Sequence, residues 1–198
     1  CDSVSCELAG AEQLIPDLEK TLGKTVRVQR VPCVGRCDAA PVAVVGQNPI
    51  GTADVEQVKR TVENKETKER LPTETVDYPT YQVDGGYQLL RACIDGTRNV
   101  EAVMHALEDS GLRGLGGAGF PAGRKWRIVR DYAGPRLLAV NIDEGEPGTF
   151  KDRYYLERDP HRFLEGMLIA SWAADIDEVY IYIRDEYPAC LRILKDAV

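Results

Sequence analysis

The chain has 198 residues, 43% of them hydrophobic, enough to bury a sizeable core as one large domain or two small ones. It sets 25 Lys and Arg against 32 Asp and Glu, a formal charge of −7, with no basic run, so nucleic acid is not an expected partner. No apolar stretch approaches the roughly 20 residues that span a bilayer, and the start is not signal-like, so membrane insertion is not expected and the predicted location is cytoplasmic.

Taken in chain order, Cys1 and Cys6 form a C-x4-C pair, and Leu8, Ala11, Leu14, Ile15, Leu18 and Leu22 then recur at helical spacing up to the stop at Gly23. Residues 25–31 alternate like a half-buried strand, with Val26 and Val28 on one face and Arg27 and Gln29 on the other, leading to a C-x3-C pair at Cys33 and Cys37. Residues 41–45 are a second predicted strand, 47–49 a turn, and Thr52 with Glu56 the expected cap of a helix running to Val62. The expected first domain is therefore 1–64. Residues 65–86 are rich in Lys, Glu, Thr and Pro without an apolar period, and read as an interdomain linker or extended crossing segment.

A second domain is expected over 87–198. An amphipathic helix at 100–107 leads into a glycine-rich loop, and 136–141 is predicted as a buried strand ending at an acidic loop. An apolar helix over 163–174, a strand over 178–184 and a further helix from Tyr187 complete the pattern. This alternation predicts an α/β fold with a parallel sheet and a ligand at the strand carboxyl ends. The first residue is Cys, and the last helix looks cut while still running, so a piece of a longer polypeptide is expected.

Six cysteines in an acidic, signal-less chain point to metal ligands or buried thiols more than to a disulfide framework. Cys93 and Cys190 sit in apolar helical patterns and read as core. The four loop cysteines suit either a [2Fe–2S] cluster or a structural zinc, because both take four soft anionic ligands, and spacing alone does not separate them. Gly35 and Arg36 tilt the reading toward the cluster, since a loop with free N–H groups can hydrogen-bond the sulfurs.

The glycine loop places Gly114, Gly116, Gly117 and Gly119 within six residues, followed by Phe120, Lys125 and Trp126. Missing Cβ atoms let backbone approach a bulky anionic ligand. The run follows a helix and not a strand, so it is not a Rossmann fingerprint. The second loop runs from Asn141 through Asp143, Glu144 and Glu146 to Arg153, crowding three carboxylates into four residues. That crowding is costly in a buried loop unless something binds. Alone it would pass for an exposed turn; beside the glycine loop it reads as half of a nucleotide site. Lys151, Asp152 and Arg153 are expected to form local ion pairs. His105 and His161 have no partners for metal or nucleophilic chemistry.

These two loops closely resemble the hallmark segments of the flavin-containing, NADH-oxidising subunit of respiratory complex I, over 114–126 and 141–153. The first part of the chain resembles the small thioredoxin-like [2Fe–2S] subunit of the same complexes, which implies cluster ligands at Cys1, Cys6, Cys33 and Cys37. Two modules on one polypeptide look like the diaphorase subunits of soluble NAD-dependent formate dehydrogenases, NAD-reducing hydrogenases and electron-bifurcating hydrogenases, and the local wording is most similar to the beta subunit of the molybdenum- or tungsten-containing formate dehydrogenases. The resemblance implies FMN over the glycine loop (Gly114, Gly116, Gly117, Gly119), with Phe120, Lys125, Asn141, Asp143 and Glu144 also at the cofactor. It also implies NAD(H) stacked on the flavin and Glu146 as the catalytic carboxylate hydrogen-bonding the nucleotide. It further implies a [4Fe–4S] cluster outside these residues, and as partners a molybdenum- or tungsten-containing catalytic subunit and a small iron–sulfur subunit. Leu115 stands where that family usually has Arg, and Ile128 where it often has an aromatic. The alternative is a non-catalytic module joining a four-cysteine zinc knuckle to a nucleotide-sensing domain.

Overall fold

A computed structural model describes residues 1–115 and 117–198. Gly116, one of the predicted flavin-loop glycines, lies outside the described residues. The first helical pattern is two helices, α1 (Val4–Leu8) and α2 (Ala11–Leu22), separated where Gly10 takes φ +96°. That break turns Leu8 out of the predicted apolar stripe, and it is 86% exposed. Gly23 terminates α2 as expected.

Residues 26–31 keep the predicted alternation, with Val26 and Val28 half-buried and Arg27 and Gln29 exposed, yet they form no strand. A strand needs a ladder partner, and the only backbone bond from this stretch outside a local turn is Asp2 N–H to the Val31 carbonyl at 3.1 Å, among the described residues. The segment instead walls an apolar cavity of about 470 Å³ against α2 and the first hairpin. That hairpin pairs β1 (Ala43–Val45) with β2 (Asn48–Ile50) antiparallel. The predicted Thr52/Glu56 cap is corrected to a capping box at Asp54 and Gln57, which starts α3 (Val55–Glu63): Asp54 is the residue whose carboxylate reaches the free Gln57 N–H, at 2.8 Å.

The polar stretch after α3, expected as an interdomain linker or extended crossing segment, lies against the second part of the chain. It contains α4 (Tyr78–Val83), capped by Asp77. Thr75 Oγ1 and Val76 N–H bond the carbonyls of Glu157 and Arg158, and the side chain of Glu69 is buried. Glu69 meets Arg36 and the Ala189 amide there, which composition does not register.

The second part continues with α5 (Gln88–Ile94), α6 (Val100–Asp109), α7 (Ala122–Asp131), β3 (Leu137–Ile142), α8 (Lys151–Arg158), α9 (Pro160–Ala174), β4 (Glu178–Ile183) and α10 (Pro188–Ala197). β3 and β4 are parallel, registered from Leu137 opposite Glu178 to Ile142 opposite Ile183. Ile142, Leu156, Leu164, Tyr187, Cys190 and Leu194 form the core between this sheet and α8, α9 and α10. The expected burial of the β3 strand is met on one face only: Leu137, Ala139 and Asn141 are exposed on the other, as are Tyr180 and Tyr182 of β4 beside them. Alternate residues can be covered only where a layer lies on them. No helix among the described residues is long and apolar enough to cross a membrane.

Candidate functional site

The cysteine loop is built around Gly35. Its φ of +68° turns the backbone so that its own N–H lies 3.4 Å from Cys33 Sγ. A Cβ here would sit 2.1 Å from the Tyr187 hydroxyl. Gly35→Ala is therefore expected to cost about 1–3 kcal/mol through overpacking, with strain at positive φ added. Thermal unfolding checks this, and a stability equal to wild type would mean the two elements separate freely.

Cys33 Sγ lies 3.4 Å from Cys37 Sγ. Two sulfurs on one tetrahedral metal with bonds of about 2.3 Å sit roughly 3.8 Å apart, so this pair needs only a small outward movement to share one. Cys1, partly buried, and Cys6, fully buried, pack with Val34 and Val42 beside the pair. None of the six cysteines is in a disulfide, and Cys93 and Cys190 are buried at 1% and 0% exposure, as core thiols. Among the described residues no group of three or more His, Cys, Asp or Glu is arranged to close on one ion. A mononuclear zinc site takes four thiolates around one point and a binuclear cluster takes them as two pairs; the 33–37 loop brings Cys33 and Cys37 together, with Cys1 and Cys6 in the apolar cluster around Val34 and Val42.

The thiols differ electrostatically. Burial pushes Cys33 and Cys6 up. Burial acts the same way on Cys37, but hydrogen bonds from the Gly148 amide, Ser5 and Cys33 outweigh it and bring Cys37 below its ordinary value. The Gly148 N–H lies 3.1 Å from Cys37 Sγ. The acidic loop thus touches the cysteine loop directly.

That acidic loop leaves the carboxyl end of β3, as expected. Asn141 Oδ1 accepts the Asp143 N–H at 2.9 Å, and the Glu146 carbonyl accepts both N–H and hydroxyl of Thr149 at 3.1 and 2.6 Å. Asn141, Asp143 and Glu146 are exposed. Glu144 is different. At φ +41°, its carboxylate turns back over the start of α8, accepting Asp152 N–H at 2.9 Å, Arg153 N–H at 3.2 Å and the Tyr187 hydroxyl at 3.1 Å, with its side chain 1% exposed. It satisfies orphan donors of the first helical turn.

The glycine loop is closed at its neck by Gly114 N–H to the Phe120 carbonyl at 3.0 Å and Ala122 N–H to the Leu112 carbonyl at 2.9 Å. A Cβ at Gly117 or Gly119 would meet nothing within 4 Å. Packing within the chain therefore does not demand glycine at 117, while φ +54° does at 119. Such a loop leaves room for a ligand against bare backbone. Phe120 is partly exposed with the Arg124 guanidinium 5.7 Å from its ring centre, and Lys125 is exposed. Among the described residues no hydrogen bond or ion pair joins this loop to the acidic loop.

Sequence reasoning missed the residues that grip the cysteine loop. Lys151 pairs locally with Asp152 at 2.7 Å as predicted, but Arg153 reaches across: Nη2 to Asp38 at 2.5 Å and Nε to the Gly35 carbonyl at 3.1 Å, besides Nη1 to Glu157 at 2.9 Å. Arg36 pairs with Glu69 and, at 3.4 Å, with Glu157. Burial pushes the Glu69 carboxyl up, against Arg36 and the Ala189 amide. Arg184 donates to the Cys33 carbonyl at 2.6 Å and the Glu144 carbonyl at 2.7 Å.

Family models match each part of the chain separately. Residues 1–66 match the thioredoxin-like [2Fe-2S] ferredoxin family, and 107–198 match the Nuo51 FMN-binding domain. The chain is 50% identical over 118 residues to an NADH-quinone oxidoreductase subunit of Aquifex aeolicus, covering 60% of this chain and 27% of that protein. It is 46% identical over 101 residues to the mitochondrial NADH-ubiquinone oxidoreductase 51 kDa subunit of Neurospora crassa, covering 48% and 20%. A crystal structure of an NAD+-reducing [NiFe]-hydrogenase in the H2-reduced state aligns over 99% of this chain and 38% of that one, with TM-score 0.76 and 29% identity. The chain thus spans about a quarter of the length of the curated relatives it matches.

Proposed function

We propose, for a chain that joins a thioredoxin-like [2Fe-2S] ferredoxin domain to a flavoprotein domain of the complex I 51 kDa type, that it is the diaphorase part of an NAD-linked electron-transfer enzyme. The bound FMN would exchange hydride with NAD(H) and single electrons with iron–sulfur centres. The residues to hold the cluster are Cys1, Cys6, Cys33 and Cys37. Gly114, Gly117 and Gly119 leave backbone room for the flavin, with Gly116, Phe120 and Lys125 in the same loop, and Asn141, Asp143 and Glu146 turn polar groups outward from the adjoining strand end. Glu144 supports that loop from beneath.

The observation that carries this reading is the 3.1 Å contact of Gly148 N–H with Cys37 Sγ. A nucleotide loop bonded to a cluster ligand makes the flavin side and the cluster side contiguous, as single-electron transfer requires. A zinc module would give no visible absorption. The test is the spectrum of the purified native complex before and after NADH: flavin and [2Fe–2S] bands that bleach support the proposal, and a colourless protein ends it.

For the donor, the wording of residues 1–11 and 116–126 favours the beta subunit of a molybdenum- or tungsten-containing formate dehydrogenase, with formate oxidised on another subunit and a small iron–sulfur subunit alongside. A hydrogenase diaphorase is the second reading, favoured by the 99% coverage of this chain in the NAD+-reducing hydrogenase. NAD reduction by formate but not by hydrogen in the native complex decides for the first, and the reverse for the second.

Glu146 is proposed to select NAD over NADP. Its exposed carboxylate would accept ribose hydroxyls and repel an added phosphate. At an effective dielectric constant of about 20, unit charges roughly 5 Å apart interact by on the order of 3 kcal/mol, about a hundredfold in affinity. Glu146→Gln is expected to lower the KM for NADPH strongly while weakening NADH use only modestly. Steady-state kinetics with both nucleotides measure it, and unchanged discrimination removes Glu146 from this role.

A further inference from the structure

Arg184 follows β4 directly, and all three of its guanidinium nitrogens are engaged. Nη2 donates to the Cys33 carbonyl at 2.6 Å, Nη1 to the Glu144 carbonyl at 2.7 Å, and Nε pairs with Glu186 at 3.0 Å. The side chain is 8% exposed. Two of these partners are neutral carbonyls. Glu186 is its one carboxylate partner among the described residues, and that carboxylate remains 41% exposed, where water weakens its hold on the charge. A buried cation with a partly solvated counter-ion leaves positive potential on the cysteine loop. The Nη1 bond also pins Glu144 at its unusual φ of +41°, so one guanidinium holds the acidic loop and the cysteine loop together.

We propose that Arg184 is a positioning residue that raises the reduction potential of the [2Fe–2S] cluster at Cys1, Cys6, Cys33 and Cys37; this rests on the cluster assignment made under the proposed function. One-electron reduction adds a negative charge to a site already bound by four thiolates. A fixed cation in a water-poor interior stabilises the added charge more than the oxidised state, and net charge and hydrogen bonding are the protein's levers on such potentials. The geometry supplies both, since the cation and its hydrogen bond converge on the backbone of a cluster ligand.

The test is an EPR-monitored redox titration of the protein with its native partners. Arg184→Gln keeps a hydrogen-bonding amide and loses the charge; it is expected to lower the equilibrium constant for cluster reduction on the order of tenfold, a downward shift of about 59 mV for one electron. Arg184→Lys keeps the charge and should stay near wild type. Glu186→Gln removes the counter-ion and should shift the potential upward, and its exposed position makes folding safe. An unmoved potential in Arg184→Gln, or an equal fall in Arg184→Lys, overturns the charge role. Where Arg184→Gln holds no cluster, the Glu186 variant decides: an upward shift supports the proposal, and no shift or a fall overturns it. Absence of a [2Fe–2S] signal in the wild-type protein overturns the cluster assignment itself, whereas an intact signal with an unmoved potential overturns only the part played by Arg184.

Discussion

Cys33→Ser is expected to abolish the [2Fe–2S] EPR signal, while Cys93→Ser leaves it intact. Cys33 is 3% exposed and lies 3.4 Å from Cys37 at the centre of the loop gripped by Arg153, Arg184 and Tyr187. Serine there offers a hard, weakly acidic hydroxyl in place of a soft thiolate, and the Tyr187 hydroxyl lying against Gly35 leaves the loop little room to bring another ligand. Cys93 is equally buried, at 1% exposure, but lies in α5 and outside the apolar cluster of Cys1 and Cys6. Its serine variant should cost about 1–3 kcal/mol for a buried hydroxyl and nothing in the signal. A signal that survives in Cys33→Ser and vanishes in Cys93→Ser would show that burial was mistaken for ligation.

Arg153→Met is expected to destabilise the chain by about 3–5 kcal/mol, as the removal of one partner from a buried ion-pair network does. The side chain is only 6% exposed, and its loss leaves the buried Glu157 carboxylate short of its nearest cation, removes the Asp38 pair and leaves the Gly35 carbonyl only the 3.4 Å contact of the Tyr187 hydroxyl. Glu157 would retain only the longer Arg36 contact at 3.4 Å. For a protein of this size each kcal/mol shifts Tm by roughly 2–4 °C, so a fall of about 10 °C is expected. Lys151→Met two residues earlier serves as the comparison: its side chain is 58% exposed, its pair with Asp152 is screened by water, and it should cost at most about 1 kcal/mol. Equal melting temperatures for the two variants would mean that the contacts across to the cysteine loop contribute nothing to stability.

Both predictions turn on residues that differ in how far they could be read beforehand. The paired cysteines, the helices expected at 100–107 and 163–174, the parallel strands and the two loops carry their signatures locally, in spacing, periodicity and glycine content, and so the sequence by itself determined the α/β class and pointed to the two candidate loops. Residues 26–31 show the limit of that reading: alternation of Val26 and Val28 with Arg27 and Gln29 reports which side faces the core, but a ladder is a relation to another strand and is invisible in one segment. The polar stretch after α3 shows the same limit, since Glu69 looks solvated until Arg36 and the Ala189 amide are brought to it from 33 and 120 residues away. Arg184 carries no local mark at all, and Arg153 reads locally as an ion-pair partner of Asp152 with no sign of its reach to Asp38 and Gly35. What only the tertiary structure decided is that the acidic loop lies on the cysteine loop, with Gly148, Arg153, Arg184 and Tyr187 joining them, because these bonds span 111 to 152 residues of chain and depend on where β3, α8 and β4 stack, a matter of packing and not of pattern.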